Sequence, residues 1–449
     1  MNEIFKFLLI SISIGFAICD ESWRFITLAD WHGGEGFVKS PGMNLENGPV
    51  EKKMKLETLQ YLKKTFGGEL VMLPGDSNGG HWDGPEMVKR INESNLTTTE
   101  DIVLKAGDNC YRTIRLLFKE GGYPTMLMTT GDHEYGGNPW NPNTTHLRVQ
   151  PQFRETYQRN FNRDTQTGQF LFSEPIGSSP SRPLGTPFEN TSYAYRYKNA
   201  LFITLDAFRL IDDYTQKFWD KSTGRGGQGA VTCTIDGKHL DWLENVLKEA
   251  RRDLTIKHIF VQAHVPVLQP VRKVNSSGQF MDDAEKSEFW NIMRKYSVDV
   301  YFAGEVHTNT ATKDEESNIV QIVSRGNFFN NFLTVDLTDT SIHITSYNEI
   351  GVLPQNNNNY EAWGDLIIDK SGSETQILSS GSLELLDIRA PLIHFAFDEI
   401  SQLENSRQVL ALNHDDHKTT LVARKITIRG IECRYSMYNH GSFGRKLLL

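Results

Sequence analysis

Five short apolar runs of strand length, each delivering an acid or a histidine at its carboxyl end, constrain this chain more than any other feature. WRFITLADWH ends in Asp30 and His32, ELVMLPGD ends in Gly75 and Asp76, and YPTMLMTTGDHEY breaks at Gly131 to deliver Asp132, His133 and Glu134. Further on, IFVQAHVP carries His264, and VDVYFAGEVH ends in Glu305 and His307. Runs of this length and content read as buried strands, and open α/β sheets place their chemistry outside the carboxyl ends of their strands. Between the first three runs lie helical patterns, near Met54 to Phe66 and near Asn109 to Lys119, stopped by Gly67-Gly68 and Gly121-Gly122. Strand, helix, strand, helix, strand predicts a parallel α/β arrangement.

From Gly136 to Pro187 the chain is rich in Asn, Pro, Gly and Ser around one predicted helix, PQFRETYQRNF. Together with residues 77–100 this reads as surface loops that set specificity. SYAYRYKNALFITLDAF predicts a hairpin turning at Lys198-Asn199, and a Gly-rich loop, STGRGGQGA, precedes a helix from Asp236 to Arg251. Another helix is predicted near Asp282 to Tyr296. The runs NIVQIVS, FLTVDLT and SIHITSY then predict a second sheet packed on the first. Asparagines at 356–359 mark a loop or boundary. Beyond about Ser380, PLIHFAFDEI and VLALNH are strand-like, the first weakly resembling the opening strand of a lectin-like β-sandwich.

With 449 residues, 38% hydrophobic and 23% charged, the chain is long enough for a large core. A formal net charge of -9 argues against general binding to nucleic acid or anionic membranes, which needs a basic surface. Residues 1–19 give Lys6, an apolar run from Phe7 to Ile18 and the small residues Ala17 and Cys19, the order of a secretory signal and short for a membrane span. No later run is apolar for long enough to span. Sequons at Asn92, Asn95, Asn143, Asn190 and Asn275 agree with export and predict N-linked glycans. The expected location is therefore extracellular or the secretory-pathway lumen. Cys110, Cys233 and Cys433 allow at most one internal disulfide, and the lack of a CxxC excludes cysteine-rich zinc sites.

The series DxH, GD, GDHE, a lone His and GExH, in this order at predicted strand ends, resembles the calcineurin-like metallophosphoesterase family over about Arg24 to Tyr347. The resemblance implies a four-layer α/β/β/α sandwich over residues 20–375, followed by a small β-rich C-terminal extension at 376–449. It also implies a two-metal site: Asp30, His32, Asp76 and His307 hold the first ion, and Asp76 bridges to a second held by Asp132, His264 and Glu305. Two cations roughly 3.5 to 4 Å apart polarise a phosphoryl oxygen and acidify a bridging water. His133 would protonate the leaving alkoxide or hydrogen-bond the phosphate. The implied activity is hydrolysis of small phosphate esters. Apart from the resemblance, His81 and Arg325, in SRGNFF after a later strand, are candidate contacts to phosphate.

Two departures bear on the metals. The family's usual Asn is Asp132 here, and the first His of its last motif is Glu305; both fall on the second ion. Four carboxylates then face two cations, a harder site that favours Mn or Fe, including a trivalent and divalent pair, with Zn, Mg or Ca as competitors. GDSN lacks the tyrosine that purple acid phosphatases place there, so no tyrosinate-to-iron colour is expected. The acid that some members place three residues after the GD aspartate is Gly79 here, leaving Asp83 or Glu134 to orient His133. The alternative is a secreted binding protein on the same scaffold, with a structural cation and little or no catalysis. Singly, Asp30 and Asp76 also read as helix caps and His264 as a core histidine.

Overall fold

Strand β1 (Trp23–Thr27) shows how the layers are built, because its neighbours alternate: Trp23 and Phe25 join one core, and Ile26 joins another. The computed structural model describes residues 22–33, 50–84, 87, 96–137, 144–164, 167–210, 231–269, 271, 279–327, 330–349, 359–386, 423–428, 431–440 and 443–448. The predicted signal at 1–19, the sequons at Asn92, Asn95, Asn143 and Asn275, the loop STGRGGQGA, the asparagines at 356–358 and the runs PLIHFAFDEI and VLALNH lie outside these residues.

After β1 come helix α1 (Val50–Phe66), β2 (Val71–Leu73), α2 (Thr99–Glu120), β3 (Met126–Met128), α3 (Thr145–Arg148) and α4 (Gln150–Asn160). The hairpin β4 (Tyr193–Tyr197) and β5 (Ala200–Thr204) follows, then β6 (Phe208–Leu210), β7 (Val231–Cys233), α5 (Gly237–Ala250), β8 (His258–Gln262), α6 (Glu288–Lys295) and β9 (Val300–Ala303). The chain continues through β10 (Thr310–Lys313), β11 (Val320–Val323), β12 (Asn331–Leu337), β13 (Ser341–Glu349), β14 (Tyr360–Asp369) and β15 (Gln376–Gly381).

Among the described residues one sheet has the order β15-β14-β13-β12-β1-β2-β3, and a second has the order β10-β11-β9-β8-β5-β4. Strands β1, β2 and β3 run parallel, as do β5, β8, β9 and β11. Phe25, Phe202, Phe260 and Phe302 fill the space between the sheets, with Phe25 edge-on to Phe202 and Phe260 at centroid distances of 5.1 Å. Leu59, Ile114 and Tyr157 cover the outer face of the first sheet, and Leu243, Val246 and Met293 that of the second. The result is the four-layer α/β/β/α sandwich.

Two expectations change. FLTVDLT and SIHITSY form β12 and β13 of the first sheet, with β12 antiparallel to β1 in the register Trp23↔Leu337; NIVQIVS, as β11, joins the second. Alternation tells which residues share a face but not which sheet a strand enters. Helix α2 begins ten residues earlier than its apolar pattern, at a cap where the Thr98 side chain accepts from the Asp101 amide at 3.1 Å. Gly107 within it has a packing reason, since a Cβ there would stand 2.3 Å from Thr156 of α4.

β15 pairs with β14, and Leu383 is buried between the sheets, so the first residues after 375 belong to the main sandwich. β16 (Ala423–Ile428), β17 (Ile431–His440) and β18 (Phe443–Leu448) form a separate antiparallel sheet. Cys110 and Cys233 are buried free thiols in the two different helix-side cores. No helix among the described residues is long and apolar enough to cross a membrane.

Two buried histidines link stability to pH. His239 of α5 stacks on Phe188 at 4.4 Å, neither of its ring nitrogens has a hydrogen-bond partner, and burial lowers its pKa to about 4. His258 is lowered to about 4 by burial and by Lys370. The unfolded chain takes up these protons near 6.5, which the folded chain resists until about 4. Their neutral rings are therefore tolerated in full above pH 6.5, and stability is lost as pH falls through that window. Each histidine contributes on the order of 3 kcal/mol to that loss. Urea midpoints for His239→Phe should match the parent at neutral pH and exceed it increasingly in acid.

Candidate metal centre

The parallel ladder between β1 and β2 continues past the strands into the loops that follow them. His32 N donates to the Asp76 carbonyl at 2.9 Å, and Gly33 N to the Ser77 carbonyl at 2.7 Å. Asp30, His32, Asp76, Glu305 and His307 all have positive φ, from 43° to 69°. Left-handed backbone costs such residues about 1 kcal/mol or more each, and it persists only where surroundings impose it. Here it turns consecutive strand-end side chains inward.

Glycines supply the room. A Cβ on Gly131 would stand 2.1 Å from Asp76 Oδ1, one on Gly304 2.5 Å from Asp30 Oδ2, and one on Gly75 2.5 Å from His264 Nδ1. The glycine before each acid therefore exists for the carboxylate or imidazole of a neighbouring loop.

Asp30, His32 and His307 each present a ligand atom within 4.8 Å of the others, as do Asp76, Asp132, His264 and Glu305. Asp76 forms a further such set with His32 and His133, so it joins the two groups. His264 Nε2 lies 3.2 Å from Asp76 Oδ2, 3.2 Å from Glu305 Oε2 and 3.5 Å from Asp132 Oδ1. His307 Nε2 lies 3.3 Å from Asp30 Oδ1, and His32 Nε2 3.8 Å from Asp76 Oδ2. All seven residues expected as ligands from the sequence thus meet at one place.

The donor set fits cations. Asp30, Asp76, Asp132 and Glu305 are buried, and Asp30 Oδ2 has no hydrogen-bond partner. A buried carboxylate oxygen with nothing to bind is costly unless a cation is its partner. Burial and then Asp132 raise Asp76, and the same two causes push Glu305 up to about 7. Burial would lower His264, but Asp76, Asp132 and Glu305 raise it well above the ordinary value. His32 is lowered well below its usual range by burial, His133 and His307, and so presents the neutral imidazole that a metal requires.

The surrounding shell fixes ring orientation. His264 Nδ1 lies 2.8 Å from the Pro74 carbonyl, which only accepts, so Nδ1 carries hydrogen and Nε2 is the atom turned to the carboxylates, free to exchange its proton for a cation. His133 repeats this: Nδ1 donates to the Gly79 carbonyl at 2.9 Å, and Nε2 lies 3.8 Å from Asp76 Oδ2. The backbone at position 79 thus does what an acid was expected to do. Asp83 pairs instead with His146. Glu134 is buried and accepts from the amides of Asp76, Ser77 and Gly131, from Ser77 Oγ and from Asn78 Nδ2 at 2.7 to 3.0 Å. Burial and Asp76 push it up to about 7, and a cation shared by Asp76 would remove the second cause.

Lys55 was not legible in the sequence. Its Nζ donates to the Trp31 carbonyl at 2.6 Å and stands 3.3 Å from Asn327 Oδ1, bracing the DWH turn from α1, while burial lowers it to about 8. Its signal is a lysine one helical turn from the apolar face, which any solvated lysine shares. Of the two suggested phosphate contacts, His81 is exposed with its ring 5.7 Å from that of His133. Arg325 is buried, and its guanidinium lies 5.5 Å from the Trp363 ring centre.

Two substitutions probe this shell. Gly131→Ala should displace Asp76 and lower metal affinity by roughly 10 to 100-fold, read by metal titration. Glu134→Gln would set an amide donor against five donors; metal affinity should fall, and the urea midpoint with it, by on the order of 1 to 3 kcal/mol.

No protein-family model and no curated protein matches the chain. Solved structures are. PhoD aligns at 13% identity and a TM-score of 0.51, covering 81% of this chain and 72% of that one. Purple acid phosphatase PPD1 from yellow lupin seeds aligns at 10% identity and a TM-score of 0.43, covering 73% of this chain and 52% of that one. GAP50, the anchor in the inner membrane complex of Plasmodium, aligns at 11% identity and a TM-score of 0.39, covering 73% of this chain and 84% of that one. The sandwich described above and its likeness to PhoD give this chain the calcineurin-like metallophosphoesterase fold.

Proposed function

We propose that this protein is a secreted, metal-dependent phosphoesterase. The observation that carries the reading is Asp76, shared between two buried ligand sets, with His133 Nε2 3.8 Å from the same carboxylate. Asp30, His32, Asp76 and His307 would hold one ion, and Asp76, Asp132, His264 and Glu305 the other. Two bound cations supply Lewis-acid activation of a phosphoryl group and of water. The chain's own part is to fix the rings and place a proton. His133, held through Nδ1 by Gly79, presents Nε2 to the leaving oxygen. Water oxygen bonds to phosphorus, the ester P–O bond breaks, the His133 proton passes to the departing alkoxide, and the proton released by the water restores His133 through solvent.

Three carboxylates and one imidazole at the second position favour hard ions, so Mn or Fe should outperform Zn, Mg and Ca there. Export is supported by the order of residues 1–19 and by the sequons. The same abundance of carboxylates favours the rival reading, in which a cation braces the loops of a binding protein without turnover.

Protein stripped and reloaded separately with Mn, Fe, Zn, Mg or Ca should hydrolyse nitrophenyl phosphate or its bis-ester. His133→Ala should lower kcat by roughly 10² to 10⁴ with metal content unchanged. Tight metal binding with no turnover would select the rival. Zinc alone at both positions in protein from its own source would overturn the metal preference, and protein retained inside the cell with residues 1–19 still attached would overturn export.

A further inference from the structure

His146 of α3 bolts together the two loops that carry His81 and His133. His81 lies on the loop after β2, with its ring edge-on to that of His133 at 5.7 Å and 89°. That ring rests on Gly137, where a Cβ would stand 2.6 Å from it, and the His81 amide donates to the Gly136 carbonyl at 3.2 Å. His146 spans the same two loops: Nδ1 meets Asp83 Oδ2 at 3.2 Å, and Nε2 meets the Gly137 carbonyl. Its ring stacks on that of His81 at 6.3 Å and 26°.

A carboxylate and a carbonyl both only accept. A neutral imidazole has one N–H, so it would leave one of these contacts as lone pair against lone pair. Satisfying both requires an imidazolium, and this follows from connectivity at a distance from the metal-ligand set.

We propose that His146 is a positioning residue of the phosphoesterase reaction, an imidazolium clamp that joins Asp83 to Gly137 and holds His81 beside His133 on its exposed side. The inference rests on the functional reading above. Asp83 and His81 face the ring from the loop after β2, with the Gly136 and Gly137 backbone opposite and apolar Phe153 of α4 against it. His133 bears on it through His81, and Arg148 of its own helix pairs with Glu100 of α2. Burial would lower His146, but Asp83 and the Gly137 carbonyl raise it. His81, exposed on one side and enclosed on the other, is lowered by that partial burial, by His133 and by His146, which disfavours a second charge beside the clamp. Loss of the second proton from His146 would free one loop and release His81 from substrate.

The test uses the metal-loaded protein with two variants. His146→Phe keeps the ring and its stacking but removes both donors; His146→Arg can donate to both acceptors at any pH. KM and kcat for nitrophenyl phosphate would be followed between about pH 5.5 and 9, alongside the ring-proton resonances of labelled histidines. In the parent, KM should rise in alkali as His146 titrates above 6.5, with the His81 resonance moving in step. His146→Phe should raise KM roughly tenfold at every pH with kcat little changed, and His146→Arg should restore KM and abolish the alkaline rise. An unchanged KM in His146→Phe, or His81 resonances blind to the His146 titration, would overturn the clamp. Absence of turnover in the parent overturns the phosphoesterase reading instead, and the resonances then still decide the clamp.

Discussion

Like-charge crowding governs this molecule. Asp30, Asp76, Asp132 and Glu305 are buried at one place, and the last three present oxygens within 4.8 Å of a common histidine nitrogen. Carboxylates so disposed repel one another and lose hydration, so the arrangement stands only if positive charge enters and the backbone cannot relax. Much of the surrounding structure prevents that relaxation. Left-handed turns at five of the candidate ligand residues and glycines that yield their Cβ space to Asp76, Asp30 and His264 are features a merely stable protein would shed.

The two sheets converge on that point. β1, β2 and β3 deliver Asp30, His32, Asp76 and Asp132 from one sheet, while β8 and β9 deliver His264, Glu305 and His307 from the other. The shared Phe25, Phe202, Phe260 and Phe302 core fixes the separation of the sheets, and with it the distance between the two halves of the centre. Fold and site are thus one construction: the inter-sheet packing sets the spacing that ligand chemistry needs.

Around the candidate ligands lies a shell that decides which nitrogen each imidazole offers. The carbonyls of Pro74 and Gly79 take the Nδ1 hydrogens of His264 and His133, turning both Nε2 atoms inward. Glu134 gathers the amides of Asp76, Ser77 and Gly131, tying the loop after β2 to that after β3. Lys55 and His146 brace the same region from α1 and α3. Backbone carbonyls carry much of this work, and the Gly79 carbonyl holds the His133 ring that an acid at position 79 was expected to orient.

By itself the sequence determined which residues gather at the candidate centre. Each apolar run and its terminal acid or histidine are contiguous, so local burial and strand length made Asp30, His32, Asp76, Asp132, His264, Glu305 and His307 legible as one set. Only the tertiary structure decided what depends on residues far apart in the chain. Period-two alternation could not say that β12 and β13 return to pair with β1. Composition could not say that Lys55 reaches Trp31, that Gly79 orients His133, or that His146 meets Asp83 63 residues away. The reason is physical: alternation and propensity are local properties of a chain, whereas hydrogen-bond partners are chosen by packing, which sequence spacing does not record.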